Sequence, residues 1–264
     1  MVRRTLVAAL LFLSASPLAA QRDPCRDQWG DDDRARVCEV RTLGSKGVRT
    51  LRVDPGVNGG ADVEAWDRDS IGVEARVLAY ARTDEDARAL AAQVHVSFAN
   101  GVLSAEGPST GHREGWAVMF DVRVPRHLDL AIETTNGPID VAGVTGTMDL
   151  ETTNGPITLD GVNGAVTARL QNGPLTVTLA GTSWEGTGLD ASTVNGPLTL
   201  RVPRDYNAKL ETGTRNGPFH TDIPITVQGN IGRVGQSIST TLGRGGATIK
   251  ATTSNGPLTI RSGR

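Results

Sequence analysis

The sequence has 264 residues and a formal net charge of −2, with 27 Lys and Arg residues against 29 Asp and Glu residues. A chain this close to neutral lacks the basic surplus that favours nucleic acid or anionic membranes, so we expect neither as a partner. Glycine is abundant at 32 residues and aromatic residues make up only 4%. This composition is typical of many short strands joined by glycine turns, and it argues against long helices.

Residues 1–20 are typical of a secretory signal peptide. Arg3 and Arg4 form a basic start, an apolar run extends from Leu6 to Leu13, and Ala19-Ala20 supplies a small-residue cleavage site. The apolar run is shorter than the roughly 20 residues of a membrane-spanning helix, and no second long apolar stretch follows. We therefore expect an exported protein with no transmembrane segment in its mature chain. Its location would be the periplasm, the outer cell surface or the extracellular space.

The segment 21–47 contains the only two cysteines, Cys25 and Cys38. In an exported protein a close pair of cysteines predicts a disulfide that closes a small loop. The alternative is a zinc site, but two thiolates without a nearby histidine make a poor one.

Residues 48–127 predict an irregular, mostly antiparallel β-domain. Four stretches alternate apolar and polar residues as half-buried strands do: 49–53, 61–66, 71–81 and 116–124. The stretch 54–60 (DPGVNGG) predicts a turn, and 95–107 predicts a hairpin around an Asn-Gly turn. One short helix is expected near 84–93, with Thr83 as its N-cap.

Residues 128–264 repeat a three-residue core, Asn-Gly-Pro. The six copies are Asn136-Gly137-Pro138, Asn154-Gly155-Pro156, Asn172-Gly173-Pro174, Asn195-Gly196-Pro197, Asn216-Gly217-Pro218 and Asn255-Gly256-Pro257. Successive asparagines are 18, 18, 23, 21 and 39 residues apart. A period near 20 in a chain rich in Gly, Thr and Val predicts a β-solenoid. Because the last interval is close to two periods, we expect a degenerate copy within 225–243.

The proline of the motif distinguishes a solenoid corner from a hairpin turn. In a two-residue Asn-Gly hairpin the next residue normally donates its N–H across the turn, and proline has none. In a solenoid the backbone bonds run between stacked coils, and proline at the first residue of a strand is tolerated. Apolar residues at alternating positions on both sides of each corner would form the core. The stacked asparagines could bond one another as an amide ladder, and we expect an unpaired solenoid end near Arg264.

These copies resemble those of a bacterial family of exported β-strand-repeat proteins that carries the label "putative adhesin" and has no defined function. The resemblance rests on ETTNGPID, ETTNGPIT and TTSNGPLTI, which fit the family pattern T-[ST]-N-G-x-[IL], and on the looser copies LQNGPLTV, TVNGPLTL and TRNGPFHT; together they cover roughly 128–264. The resemblance implies a β-solenoid in the cell envelope with no established enzyme activity. It supplies no binding residues.

Chemistry-bearing residues are sparse. The four histidines lack metal-ligand spacing, and no nucleotide-binding or zinc-protease motif is present. Asp140, Asp149 and Asp160 are candidates for a polysaccharide-cleaving site, although they form no column when the copies are aligned. Trp184, within the stretch that lengthens one interval, is expected on a protruding loop as a contact residue. We therefore predict no catalytic or metal-binding residues and no cofactor.

The sequence thus predicts an all-β protein with a C-terminal parallel β-solenoid of about 18–23-residue coils, preceded by a small, mostly antiparallel β-region with one short helix. We expect a non-catalytic envelope protein, an adhesin or scaffold that presents a rigid surface to an envelope protein, the extracellular matrix or a glycan. The alternative is a carbohydrate-active enzyme, a polysaccharide lyase or hydrolase, on a β-helix scaffold. A periplasmic accessory module for a signalling or assembly system fits equally well, and the sequence predicts no oligomeric state.

Overall fold

The computed structural model describes Cys25, residues 34–224 and residues 236–263, with Gln236 described by its backbone alone. The expected signal peptide at 1–20 lies outside the described residues, as does most of the segment that follows it up to residue 33. All described residues except Cys25 belong to one compact unit, Asp32–Arg264.

Short strands account for most of the described chain, as the composition predicted. The elements in chain order are β1 (Ala35–Lys46), β2 (Thr50–Asp54), β3 (Gly59–Trp66), β4 (Ser70–Ala81), α1 (Asp84–Gln93), β5 (His95–Ala99), β6 (Val102–Glu106), β7 (Gly115–Pro125), β8 (Asp129–Asn136), β9 (Ile139–Ala142), β10 (Thr145–Asn154), β11 (Ile157–Asp160), β12 (Asn163–Asn172), β13 (Leu175–Thr178), β14 (Gly188–Asn195), β15 (Leu198–Val202), β16 (Ala208–Asn216), β17 (Phe219–Thr221), β18 (Gln236–Leu242), β19 (Thr248–Asn255) and β20 (Leu258–Ser262).

The strands form two ten-stranded sheets. The first sheet has the order β1-β4-β7-β3-β9-β11-β13-β15-β20-β17, and the second has the order β18-β16-β19-β14-β12-β10-β8-β2-β6-β5. From β8 onward each coil places one strand in the second sheet, turns at an Asn-Gly-Pro corner, and places the next strand in the first sheet. Neighbouring coils pair in parallel, for example β8 with β10 and β10 with β12. The predicted parallel β-solenoid is confirmed.

The core lies along the solenoid and is built from the alternating apolar positions. Leu150 on β10, Leu159 on β11 and Leu175 on β13 are fully buried, while the residues next to each of them along its strand are exposed or half-buried. Full burial of such a side chain stabilises a fold by about 1.5–3 kcal/mol. A single coil cannot bury these side chains alone, so stacking of neighbours creates the continuous core.

The helix α1 forms where the sequence predicted it. The Thr83 hydroxyl accepts a hydrogen bond from the Asp86 N–H at 3.1 Å, which satisfies one of the unpaired donors of the first turn. Ala87, Leu90 and Ala91 are buried on one side of the helix, which packs against β4 and β1.

The region 48–127 mixes antiparallel and parallel pairing. Within it, β4–β7 and β5–β6 are antiparallel, whereas β2–β6 and β3–β7 are parallel. Strand β1, which precedes the region, pairs antiparallel with β4. The hairpin β5–β6 turns at Asn100 (φ 52°) and Gly101 (φ 76°), the left-handed pair that a two-residue Asn-Gly turn needs. Strands β2 and β3, in contrast, pair in parallel with β8 and β9 of the repeats. Strands from 48–127 and 128–264 therefore share both sheets.

The stretch 54–60, predicted as a simple turn, is a further corner of the solenoid. Asn58 forms a parallel bridge with Asn136, and the Asn136 N–H donates to the carbonyl of Val57 at 2.9 Å. Gly59 and Gly60 then begin β3, just as a glycine and a proline precede the corresponding strand of each later copy. The sequence concealed this corner because glycine replaces proline at position 60.

The coils do not stack in chain order. Strand β19 lies between β14 and β16, with Asn255 in register with Asn195 on one side and with Asn216 on the other. The last copy is therefore inserted between two earlier ones. Residues 225–235 of the expected degenerate copy lie outside the described residues. Residues 236–242 form β18, which runs antiparallel to β16 and so adds no parallel coil.

The expectation of an unpaired solenoid end near Arg264 is wrong. Strand β20 pairs with β15 on one side and with β17 on the other. Among the described strands, the two sheets end on this side at the short β17 and the antiparallel β18, and on the other side at β1 and β5. A short edge strand is one of the means by which proteins avoid edge-to-edge association.

The inserted order predicts a specific pattern of disulfide cross-linking. Neighbouring strands lie about 4.8 Å apart, whereas next-nearest strands lie beyond the roughly 7 Å that a disulfide can bridge. We expect the pair Asp190→Cys with Lys250→Cys to cross-link under mild oxidation, measured by peptide mapping. The control pair Asp190→Cys with Glu211→Cys should not, because β19 lies between. The opposite pattern would mean that the coils stack in chain order.

Candidate functional site

The Asn-Gly-Pro corners form one column along the solenoid, and the backbone bonds between coils continue through it. The Gly155 N–H donates to the carbonyl of Asn172 at 3.0 Å, and the Ile157 N–H donates to the carbonyl of Pro174 at 3.1 Å. Between these two donors stands Pro156, which has no N–H. The carbonyl of Gly173 is therefore left without its backbone donor.

A buried threonine supplies the missing donor. The Thr193 hydroxyl donates to the carbonyl of Gly173 at 3.2 Å, and the Thr253 hydroxyl donates to that of Gly196 at 2.9 Å. The same contact joins Thr134 to Gly59, Thr152 to Gly137 and Thr214 to Gly256. These five threonines are buried, and each stands two residues before an asparagine of the column. The sequence showed this threonine, but its role depends on the neighbouring coil.

Glycine is required at the corner because the backbones approach closely. A Cβ on Gly155 would overlap the carbonyl oxygen of Gly137, and one on Gly173 would overlap that of Gly155. Both glycines also have positive φ, at 154° and 146°. Any side chain here would separate the coils.

The asparagines form a ladder of amide side chains along the exposed edge of the corners. In the described part of the chain seven asparagines are linked, in the order Asn58, Asn136, Asn154, Asn172, Asn195, Asn255 and Asn216. Each Nδ2 donates to the Oδ1 of the preceding member at 2.8–3.0 Å. Each amide inside the ladder uses one N–H and one oxygen lone pair, so its second N–H and second lone pair stay available. The predicted ladder thus exists, and it includes Asn58, which the sequence did not single out. We call the asparagines and prolines of the column the corner ridge.

The candidate acids lie apart from the corner ridge and do not form one cluster. Asp149 faces outward from the second sheet, 3.4 Å from Arg169. Asp140 and Asp160 lie on the first sheet, where Asp140 is in register with Thr158 and Asp160 with Thr178.

The closest acidic neighbour of Asp140 comes from the irregular region. Asp62 on β3 stands in register with Asp140 on β9 and with Asp121 on β7. Burial raises the pKa of Asp140, a hydrogen bond from Thr158 opposes that rise, and the negative charge of Asp62 adds to it. Burial likewise raises the pKa of Asp121, with Arg76 at 2.8 Å opposing the shift. The sequence could not indicate this row because its members are far apart along the chain.

A shallow cavity of about 330 Å³ adjoins this acidic row. Asp62, Asp121 and Glu74 line it together with Trp66 and Arg123. Within the described residues, no group of three His, Cys, Asp or Glu side chains is arranged to hold a metal ion.

Trp184 does not sit on a protruding loop, and that expectation is corrected. Its side chain is buried within the core, with 6% exposed, and its indole N–H donates to the carbonyl of Gly164 at 2.9 Å. Neighbouring Glu185 also binds the previous coil, where its N–H donates to the Asn163 side chain at 3.0 Å. The extra residues of this coil fold back on the solenoid and offer no aromatic contact face. Cys25 and Cys38 are both disulfide-bonded.

The fold and the corner column define a two-sheet β-solenoid of stacked Asn-Gly-Pro coils. Residues 117–261 match the family model described as Toastrack DUF4097, and the chain belongs to that family. This confirms the family resemblance predicted from the repeated motif.

Several solved structures are similar to this chain. A "putative cell adhesion protein" from Clostridium sporogenes is 10% identical, with a TM-score of 0.39, and the match covers 86% of this chain and 100% of that one. A "putative adhesin" from Bacteroides fragilis is 13% identical, with a TM-score of 0.37 and coverage of 86% and 97%. A "putative lipid binding protein" from Parabacteroides distasonis is 10% identical, with a TM-score of 0.32 and the same coverage. None of the curated proteins compared with the chain matches it. No helix among the described residues has the length and apolar character needed to cross a membrane.

Breaking one rung should show how much the amide ladder stabilises the solenoid. We expect Asn172→Ala to lower the free energy of unfolding by about 1–2 kcal/mol, since it removes two side-chain hydrogen bonds in the middle of the ladder. The matched control is Gln171→Ala, an exposed neighbour outside the ladder, which should change stability by less than about 0.5 kcal/mol. Urea denaturation measures both. Equal effects of the two substitutions would show that the ladder contributes nothing.

The raised pKa of Asp140 predicts a pH-dependent gain for Asp140→Asn. In the wild type the folded state favours the protonated carboxyl of Asp140. The stability that this carboxyl contributes is therefore fully present below pH 3.8 and is lost as pH rises through the raised pKa. The amide avoids that loss. We expect Asp140→Asn to stabilise the protein by about 0.5 kcal/mol at pH 7 and to have little effect at pH 3, measured by urea denaturation at both values. The control Asp149→Asn removes an exposed carboxylate that lies 3.4 Å from Arg169 and should give no such gain. A loss of stability of Asp140→Asn at pH 7 would contradict a raised pKa for Asp140.

Proposed function

We propose that the protein is a non-catalytic, exported component of the cell envelope that binds a partner through the corner ridge. The observation that carries the proposal is the ladder of seven mutually bonded asparagines, six of them exposed and Asn172 half-buried. Their amides repeat at the coil spacing of about 4.8 Å and are held in place by the ladder itself. A surface that is already ordered loses little entropy on binding.

The chemistry of the ridge favours an uncharged, polar and extended partner. Amide groups with a free N–H and a free lone pair can both donate and accept hydrogen bonds. The residues just before the asparagines are also mostly polar and uncharged, among them Thr135, Thr153, Gln171 and Ser254. The partner we infer is an envelope protein, the extracellular matrix or a glycan with regularly spaced polar groups. Export is supported by the signal-like residues 1–20 and by the disulfide-bonded cysteines, which persist in oxidising compartments.

Site-specific photocross-linking in native cells tests the role of the ridge. A photoreactive residue at Gln171 lies beside Asn172, whereas the control position Asp160 is also exposed but lies on the first sheet. We expect discrete cross-linked adducts from position 171 and none of the same species from position 160. Identical adducts from both positions, or none from 171, would contradict binding through the ridge.

Protease shaving of intact cells, with an osmotically lysed control, tests the location. Loss of the mature protein in intact cells would place the solenoid on the outer surface and favour an adhesin. Protection until lysis would place it in the periplasm and favour a scaffold for envelope proteins. Recovery in the cytoplasmic fraction would contradict export.

A polysaccharide-cleaving enzyme is the second candidate, and one observation favours it. Asp62 and Asp140 are direct neighbours on adjacent strands, and burial raises the pKa of Asp140, as in a general acid paired with a second carboxylate. Incubation with a panel of polysaccharides tests this candidate. Release of reducing or unsaturated ends that Asp62→Asn abolishes would replace the non-catalytic proposal.

A further inference from the structure

The coil β19–β20 occupies a slot between two coils that could otherwise contact each other. Asn195 of β14 and Asn216 of β16 are both in register with Asn255, so the coils on the two sides present the same alignment to the slot. The corner glycines follow that alignment. The Gly196 N–H donates to the backbone carbonyl of Asn255, and the Gly256 N–H donates to the backbone carbonyl of Asn216. By register alone, β16 could pair directly with β14.

A row of charges favours the inserted coil over direct closure of the slot. Lys250 on β19 lies in register between Asp190 on β14 and Glu211 on β16, and its Nζ is 2.9 Å from the Asp190 carboxylate. Without the inserted coil, Asp190 and Glu211 would stand directly opposite each other. Like charges in that position destabilise a sheet. Lys209 on β16 also pairs with Glu211 at 2.7 Å and offsets part of this repulsion. The slot therefore favours a coil that carries a cation at the position of Lys250, where it pairs with Asp190.

The inserted coil is joined to β18 by a short loop with glycine hinges. Residues 243–247 pass around the beginning of β16, where the Lys209 N–H donates to the carbonyl of Ala247 at 3.0 Å and the Arg244 N–H donates to the Asn207 side chain at 2.8 Å. Gly243, Gly245 and Gly246 all have positive φ, at 52°, 80° and 142°. Glycines can leave these conformations without steric cost, so the loop can extend.

We propose that the slot accepts the β19–β20 coil of a second copy of this chain, so that two copies exchange coils and form a dimer. Each slot in the dimer keeps the parallel register, the glycine contacts, the asparagine ladder and the Asp190–Lys250–Glu211 row. The two copies differ from two monomers only at the loop 243–247 and in how the solenoids are connected. Exchange of an identical element is a low-cost route to a dimer.

Charge reversal can make the exchange obligatory between two different chains. One full-length chain carries Lys250→Glu, which leaves three acidic side chains in the row of its own slot. The other carries Asp190→Lys and Glu211→Lys, which leaves three basic ones. Only reciprocal exchange between the two chains restores opposite charges in both slots.

The two chains are unfolded and refolded at high protein concentration, separately and as an equimolar mixture, and size-exclusion chromatography with light scattering measures the dimer fraction. We expect the dimer fraction of the mixture to exceed that of either chain alone on the order of fivefold, because exchange restores the 190–250 ion pair in each of the two slots, with ordinary surface strength. High salt should reduce the difference. Equal dimer fractions would overturn the proposal.

A second measurement covers the case in which a charge-reversed chain does not fold. Wild-type chains with two different affinity tags are refolded together and, separately, mixed after folding. We expect co-capture after joint refolding and far less after mixing, because exchange requires the coil to leave its slot. Absence of co-capture after joint refolding at high concentration would overturn the proposal.

Discussion

The close approach of backbones at the Asn-Gly-Pro corners is the constraint on which the rest of the solenoid depends. Glycine lets one coil lie directly against the next, and any Cβ at Gly155 or Gly173 would prevent that approach. Proline orients the outgoing strand but removes one backbone donor, which leaves a glycine carbonyl without its partner. In five coils the buried threonine two residues before the asparagine satisfies that carbonyl from the following coil, whereas Leu170 takes this place before Asn172. The four positions of the motif thus form one unit that is complete only when coils are stacked.

Because every corner has the same requirements, a coil can stack against any other coil, and local sequence does not determine their order. The copy around Asn255 lies between those around Asn195 and Asn216 with no change of register. What distinguishes the inserted coil is charge, since Lys250 separates Asp190 from Glu211. The corner unit provides stacking, and outward-facing side chains provide specificity. The corners thus account both for the corner ridge, which we propose as the binding surface, and for the common register that would let two copies exchange coils.

Much of the fold could be predicted from the sequence because its signals are local. The alternation of apolar residues defines the strands, the Asn-Gly-Pro period defines the solenoid, and Thr83 with Asp86 defines the start of α1. Asn58 escaped notice because Gly60 stands in place of proline. Trp184 was misplaced because extra residues in a coil suggest a protruding loop, whereas here the indole N–H binds Gly164 in the previous coil. The contact between Asp62 and Asp140 joins two regions of different character, so no local pattern could show it.

Hydrogen exchange at the corner glycines, measured by NMR, tests the central claim most directly. In a stacked corner the N–H groups of Gly155, Gly173 and Gly196 donate to asparagine carbonyls of the next coil at 2.9–3.0 Å. The account predicts protection as strong as that of the neighbouring core strands, since these amides exchange only when coils separate. Exchange at the rate of an exposed turn would show that the motif forms isolated hairpins, and it would contradict the stacked corner.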